Sequence, residues 1–419
     1  MTKLTRITAA ALSFALLCGS LNGCSFSVEK LSNPVAVDED GDVNMEIALA
    51  YETDIDALLE KLAEKPVDPT KPVSENTNKK TLEVFNFLRE NYGTNMITAQ
   101  QMYSSAQYED TVYYTVTGDL PAIKGFDMLH VTGGDASQVD DAIQWHTYSG
   151  GLVTFTWHWF VPRDINNPNG GTAFYTDEIT NFSLANAVTP GTAEYEVIIH
   201  DIDLIAIQLQ RLEEAGVPVI WRPLHEAGGG WFWWGEGGRG SEKAEQYKQL
   251  WYIVFDRLEN YHKLTNLIWV WNAQNATMTV DPNTYDISGI DVYPNSENHS
   301  AQLTYYNRLS DMTYEGKMIT LSECGYLPDI EDMKDTGAMW LYSMPWYGDF
   351  VFAGKGNSPT LDIDSMPSLN PEKMSEEFLK GLFASENVIT WNKLPRWEGT
   401  EHNLPEETEW RITFANMGK

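Results

Sequence analysis

Val217-Pro-Val-Ile-Trp-Arg-Pro-Leu-His-Glu226 is an apolar run that ends in three ionisable side chains, Arg222, His225 and Glu226. A near-continuous apolar stretch of this length predicts a strand buried on both faces, as in parallel sheets. Upstream, Ile198, Ile202, Ile205, Leu209 and Leu212 step by four and three, and Gly216 follows as a stop, which predicts a helix ending just before the strand. Downstream, Ser241 to Leu258 again has helical spacing, with Tyr247, Leu250, Trp251 and Phe255 on one face. The local unit is therefore helix, buried strand, helix.

The unit repeats along the chain. Strand-like runs fall at 96–100, 125–131, 151–159, 217–225, 266–272, 287–293, 318–323 and 339–347, with helical patterns such as Val139–Tyr148 and Pro371–Ala384 between or after them. Eight strands alternating with helices predict an α/β fold, a closed (β/α)8 TIM barrel in a single catalytic domain over 77–412; a doubly wound open sheet is the competing arrangement. In a barrel, chemistry collects at the C-terminal strand ends. Those ends carry His158, then Arg222, His225 and Glu226, then Trp271 and Asn272, Asp291 and Tyr293, Glu323, and Trp346. One buried carboxylate alone is more simply a paired structural group. Two glutamates closing the fourth and seventh runs, on opposite sides of a barrel mouth, suit the carboxyl pair of a retaining glycosidase, one protonated and one ionised. Tyr293 and Arg222 could hold Glu323 ionised; Arg222 reads equally as an ion pair internal to the barrel. Gly228-Gly229-Gly230 leads into Trp231-Phe232-Trp233-Trp234, an aromatic wall beside Glu226. The glycines lack the Gly-Lys-Ser/Thr of a phosphate loop, and the eight histidines show no HExxH spacing, so neither a nucleotide nor a catalytic metal is expected.

Composition narrows the setting. The chain has 419 residues, 28 basic and 60 acidic, for a net charge of −32, which disfavours nucleic acid and anionic surfaces. The 15 tryptophans supply a core and rings able to stack on sugars. Cys18, Cys24 and Cys324 show no disulfide or zinc spacing. Lys3 and Arg6, a short apolar stretch and Leu21-Asn22-Gly23-Cys24 resemble a bacterial lipoprotein signal over 1–23, with acylation at Cys24. Residues 24–76, rich in Pro, Ser, Asn, Thr and acidic side chains, are expected to form a tether, with a short helix over 55–65. The expected setting is a secreted, membrane-anchored monomer whose only membrane contact is the lipid.

Several long segments are similar to glycoside hydrolase family 26, the β-mannanase family. WRPLHEAGGGWFWWG (221–235) resembles its acid/base segment and LSECGYLPD (321–329) its nucleophile segment. YGTNMITAQQ (92–101), IQWHTYSGGLVTFTWHW (143–159) and NVITWNKLP (387–395) extend the likeness over nearly all of 80–397. The resemblance implies a cofactor-free retaining β-1,4-mannanase, endo-acting or mannobiose-releasing, on mannan, galactomannan or glucomannan, with Glu226 as acid/base and Glu323 as nucleophile; the endo mode is the leading expectation. It also implies that His158 and Trp346 contact the sugar at the cleavage point, that His225 contacts that sugar or helps order Glu323, that Tyr293 hydrogen-bonds the nucleophile, and that Trp231 stacks on the leaving-group sugar. Arg222 and Trp234 complete the expected binding set. Ala227 and Gly230 depart from the larger or polar residues common in the family, and the 160–192 loop leaves Phe174 and Tyr175 unassigned. The same fold and mechanism on β-1,3-xylan or mixed-linkage β-glucan stays open, as does a glycan-binding lipoprotein without catalysis, against which both glutamates argue.

Overall fold

The computed structural model describes residues 42–103, 108–235, 241–353 and 367–417. Cys24 and residues 1–23, read from the sequence as a lipoprotein signal, lie outside them. Eight parallel strands form in the predicted places: β1 (Met96–Gln101), β2 (Ile123–Asp127), β3 (Leu152–Thr156), β4 (Val219–Arg222), β5 (Leu267–Trp271), β6 (Ile287–Val292), β7 (Met318–Cys324) and β8 (Tyr342–Pro345). Each pairs with its neighbours in chain order, and β8 pairs with β1 through Ile97↔Tyr342 and Thr98↔Ser343. That last pairing closes the sheet, so the barrel rather than the open sheet is formed. A two-residue strand, Val388–Ile389, also pairs with β1.

Helix α1 (Lys79–Asn91) precedes the barrel, and α2 (Tyr108–Thr117), α3 (Ser137–Ser149), α4 (Ala193–Glu214), α5 (Ser241–Asp256), α6 (Leu303–Met312), α7 (Ile330–Thr336) and α8 (Glu376–Ala384) follow strands. The long α4 opens on Thr192, whose hydroxyl accepts from the Tyr195 amide at 3.2 Å, and it ends before Gly216 at φ +73°. Only glycine adopts that left-handed backbone freely, which is why the sequence stop signal works. Its apolar stripe (Ile198, Ile202, Ile205, Leu209, Leu212) is fully buried. Between β5 and β6 the alternation lapses, with two 3₁₀ turns in place of an α-helix.

Two expectations need correction. The apolar run at 125–131 outlasts its strand: β2 ends at Asp127, and Met128 to Val131 lead into a 3₁₀ turn. The expected tether over 24–76 meets packed chain from Val43 onward. Helix Ile55–Glu64 buries Leu58 and Leu62. The Val73 amide donates to buried Asp286 at 2.8 Å, the Ser74 hydroxyl to buried Glu259 at 2.7 Å, and Tyr51 to Asp256 at 2.8 Å. Arg257 donates to the Ala48 carbonyl at 2.9 Å. Asp286, which precedes β6, places this segment on the barrel end opposite the mouth. A Pro- and Asn-rich sequence signals irregular backbone, and irregular backbone can still be held by buried carboxylates.

Candidate active site

The C-terminal strand ends bring the predicted residues together. After β4 the backbone turns sharply: Leu224 and Glu226 both adopt left-handed conformations, at φ +53° and +54°. Such angles are costly for side chains with a Cβ and persist where surrounding contacts enforce them. Here the Glu226 amide donates to the carbonyl and the side-chain Oδ1 of Asn272, at 2.8 and 3.1 Å. Asn272 in turn donates through Nδ2 to Asp291 at 3.1 Å and to the Ser322 hydroxyl. Gly289 on β6 makes room for this network, since a Cβ there would lie 2.6 Å from Ser322 Oγ and 2.8 Å from Asn272 Nδ2.

Glu323, buried at the end of β7, is gripped on both oxygens. Arg222 donates to Oε1 at 2.5 Å and Tyr293 to Oε2 at 2.6 Å. Two short hydrogen bonds, one of them from a guanidinium, fix the orientation of the carboxylate. Arg222 also donates to Asp291 at 3.3 Å, so one buried guanidinium serves two carboxylates. Burial and the charge of Glu323 push Asp291 up to about 7, against the pull of Arg222. The Tyr293 ring is 41% exposed at the mouth, while its hydroxyl is held well above the usual phenol range by burial and then by Glu323, and so stays a donor.

Glu226 has a different environment. Its side chain receives one described hydrogen bond, from Trp231 Nε1 at 3.0 Å. Burial first, then the charges of Asp291 and Glu323, push its carboxyl up to about 9. Carboxylate oxygens of Glu226, Asp291 and Glu323 all lie within 4.8 Å of one another. That separation matches the roughly 5 Å of a carboxyl pair that works by double displacement. Three carboxylates so close could also hold a cation, but Arg222 already supplies one positive charge within the cluster.

The histidines form one unit. Buried His225 meets Thr156 Oγ1 at 2.9 Å through Nδ1, and burial, then His158 and Arg222, hold it well below the usual imidazole range and hence neutral. His158 lies edge to face with it at 4.6 Å. Asp127 accepts from the His158 amide at 3.0 Å and meets its Nδ1 at 2.5 Å, leaving Nε2 free of that carboxylate. The Trp346 ring sits 6.0 Å from His158. Phe174 packs on His158 at 5.1 Å, and Tyr175, 43% exposed, stacks on Phe232. The 160–192 loop thus reaches the mouth through these two rings.

Two members of the expected binding set do something else. Trp234 is fully buried, stacks on Phe232 at 4.5 Å, and donates its indole N–H to the His225 carbonyl at 2.9 Å. It braces the turn that carries His225 and Glu226 and has no face left for a sugar. Arg222 is likewise fully buried and orients carboxylates rather than touching ligand. Trp231 is the one ring of the aromatic wall that stays in solvent, at 46% exposure. Sequence reasoning missed Asp127 altogether, and treated Asp291 and Asn272 only as polar strand ends. An aspartate within an apolar run was the available signal for Asp127. Gln274, which donates to Asp291 at 3.1 Å from a left-handed backbone at φ +60°, gave no such signal.

The model of "Glycosyl hydrolase family 26" matches residues 73–358. A mannan endo-1,4-beta-mannosidase of Thermothelomyces thermophilus is 34% identical over 325 residues, which cover 75% of this chain and 61% of that protein. The crystal structure of a Podospora anserina GH26-CBM35 β-(1,4)-mannanase is 32% identical with a TM-score of 0.66, covering 80% of this chain and 71% of that one. The β-mannanase from a symbiotic protist of the termite Reticulitermes speratus, solved with a gluco-manno-oligosaccharide, is 30% identical with a TM-score of 0.65, covering 78% and 98%. The chain spans about half to three-fifths of the length of the curated relatives it matches first.

Proposed function

The chain belongs to glycosyl hydrolase family 26, and on that premise we propose that it is a retaining endo-β-1,4-mannanase. The observation that carries the reading is the unequal carboxyl pair. Glu323, held by Arg222 and Tyr293, is the nucleophile: it attacks the anomeric carbon and forms a glycosyl–enzyme ester. Glu226, pushed up to about 9, is the acid: it protonates the departing glycosidic oxygen as that bond breaks. Once Glu323 is esterified it is neutral, and one of the two charges raising Glu226 is gone. Glu226, which has given its proton to the leaving group in forming that ester, therefore stays ionised and can accept a proton from the water that attacks the ester in the second displacement. Tyr293 donates to Glu323 while the ester has yet to form. Trp231, hydrogen-bonded to Glu226 and exposed, lies where the leaving-group sugar would stack. His158, His225 and Trp346 line the position of the sugar being cleaved.

The substrate class rests on the mannanase relatives. An activity panel on galactomannan, glucomannan, β-1,3-xylan and mixed-linkage β-glucan, with product sizes, tests it. Mannose-based polymers should be cleaved internally to oligosaccharides; turnover only of xylan or mixed-linkage glucan overturns the reading. The protein is also proposed to work as a monomer outside the cytoplasm, held by acylation of Cys24. The support is the basic, apolar and Leu21-Asn22-Gly23-Cys24 pattern. Cys24→Ser should release the enzyme from membrane fractions; an unchanged distribution rules out the anchor.

A further inference from the structure

The underside of the barrel holds a cavity that the catalytic reading leaves unused. Its volume is about 590 Å³, and it lies where the docked segment meets the barrel, with Lys65, Pro66 and Pro72 from the segment and Leu82 of α1, Asn283 and Lys317 from beyond it. The walls are fixed. Asn283 donates through Nδ2 to the carbonyls of Leu62 and Lys65, at 3.2 and 3.1 Å, and so ties the segment to the turn before β6. Gly316, at φ +87°, lets the Pro69 ring close on the barrel, since a Cβ there would lie 3.2 Å from Pro69 Cγ.

Lys317, the residue before β7, is the charged group of this cavity that lacks a partner. It lines the cavity and is only 4% exposed. Among the described residues its ammonium makes no hydrogen bond and no ion pair; the Tyr285 ring centroid lies 5.6 Å from it. Asp286 attracts it from a distance, but accepts instead from the Val73 and Trp269 amides, both at 2.8 Å. The other two lysines of the cavity are paired, Lys71 with Asp68 at 2.8 Å and Lys65 with Glu75 at 3.4 Å. One positive charge is thus left over. A buried ammonium without an acceptor is costly, and burial pushes Lys317 below the ordinary lysine range against the pull of Asp286. An acceptor entering from solution would relieve that cost.

Charge and lining select the occupant. The unpaired charge is one, so the ligand carries a single negative charge. Pro66, Pro72 and Leu82 offer it an apolar wall, so it carries a hydrocarbon part. The chain as a whole has a net charge of −32, which repels polyanions. We propose that this cavity binds a small organic monocarboxylate, with the carboxylate on the Lys317 ammonium and the alkyl part against the prolines and Leu82. A ligand there touches both the docked segment and the barrel, and so fastens one to the other. The site lies at the barrel end opposite the mouth and does not depend on the substrate reading.

Thermal unfolding of the whole chain tests this, with acetate, butyrate and hexanoate titrated at constant ionic strength against sodium chloride, inorganic phosphate and uncharged butyramide. The wild-type Tm should rise saturably with butyrate, with a Kd of roughly millimolar, as fits one charged hydrogen bond and a modest apolar contact. Hexanoate should bind more tightly than acetate, and butyramide should leave Tm unchanged. Lys317→Met should weaken butyrate by at least about tenfold, the loss of that charged contact. Lys71→Met, at an exposed lysine already paired with Asp68, should not. An equal response of wild type and Lys317→Met, or an equal rise with chloride or phosphate, overturns the site. Equal affinities for acetate and hexanoate overturn the apolar wall. If Lys317→Met does not fold, acylation of the wild-type lysines, mapped by mass spectrometry, decides instead. Butyrate should protect Lys317 and leave Lys71 unchanged; labelling of Lys317 that butyrate does not slow overturns the proposal.

Discussion

The ends of β4 and β7 each present a glutamate to the same space, and the two are built in opposite ways. Around Glu323 the chain supplies a guanidinium and a phenol, both from other strands and both donating. Around Glu226 it supplies burial, two neighbouring negative charges and one indole N–H. The backbone differs too: Glu323 lies within a regular strand, whereas Glu226 hangs on a left-handed turn held by Asn272. The residue type is the same at both ends, so its surroundings set its role.

Variants can break this comparison, beginning with the most severe. Glu323→Ala removes the proposed nucleophile and should lower kcat by at least about 10⁴-fold on polymer and aryl mannoside alike, measured by reducing-sugar and chromogenic assays. A residual rate near wild type assigns the nucleophile elsewhere. Glu226→Ala should separate the substrates: a loss of roughly 10²–10⁴-fold on mannan, and far less on aryl mannosides whose leaving group departs without a proton. Equal losses on both would show that the β4 glutamate is not the acid. Tyr293→Phe deletes one of the two grips on Glu323 and keeps the ring. A drop in kcat of about tenfold to a hundredfold is expected, the worth of one hydrogen bond to a charged group; an unchanged kcat would leave Arg222 as the sole effective grip.

The smallest change is the most diagnostic. The Trp231 N–H lowers the proton affinity of Glu226, which burial and the carboxylates raise. Trp231→Phe should therefore move the alkaline limb of kcat/KM on mannan further up from about 9, while stacking largely persists. The sign has a counterpart in stability. Glu226 holds its proton in the folded state up to about 9 but loses it near the ordinary carboxyl value of 4.5 when unfolded. The folded state binds more protons across that window, so stability falls as pH rises through it. Glu226→Gln should cancel this contribution, and its gain in Tm over wild type should be larger at pH 8 than at pH 5. A pH-independent difference would mean that the Glu226 proton is not retained on folding.

Much of this was legible in the sequence because apolar runs and strand-end polarity are local properties. All eight strands were placed from them, and Glu226 and Glu323 with their family segments. What escaped depends on direction or on distance. Four aromatics in a row at 231–234 read as one wall, yet one of them is in solvent and Trp234 is fully buried, because a turn aims consecutive side chains differently. Asp127 was hidden in a run read too far downstream, and its importance lies in His158, 31 residues away. Ser74 and Val73 were read as tether because their partners, Glu259 and Asp286, are 185 and 213 residues distant.

That docked segment bears on how the protein can be cut and joined. A recombinant boundary at residue 77, where the regular barrel pattern begins, would strip Asp286 and Glu259 of the donors at Val73 and Ser74, and Arg257 of the Ala48 carbonyl. Each buried group would lose one partner, Asp286 and Glu259 keeping N–H donors of Trp269 and Arg257 keeping Asp203, on the underside of a barrel whose mouth is untouched. Fusions to carbohydrate-binding modules or surface displays therefore belong ahead of Val43, with the docked segment carried along as part of the catalyst.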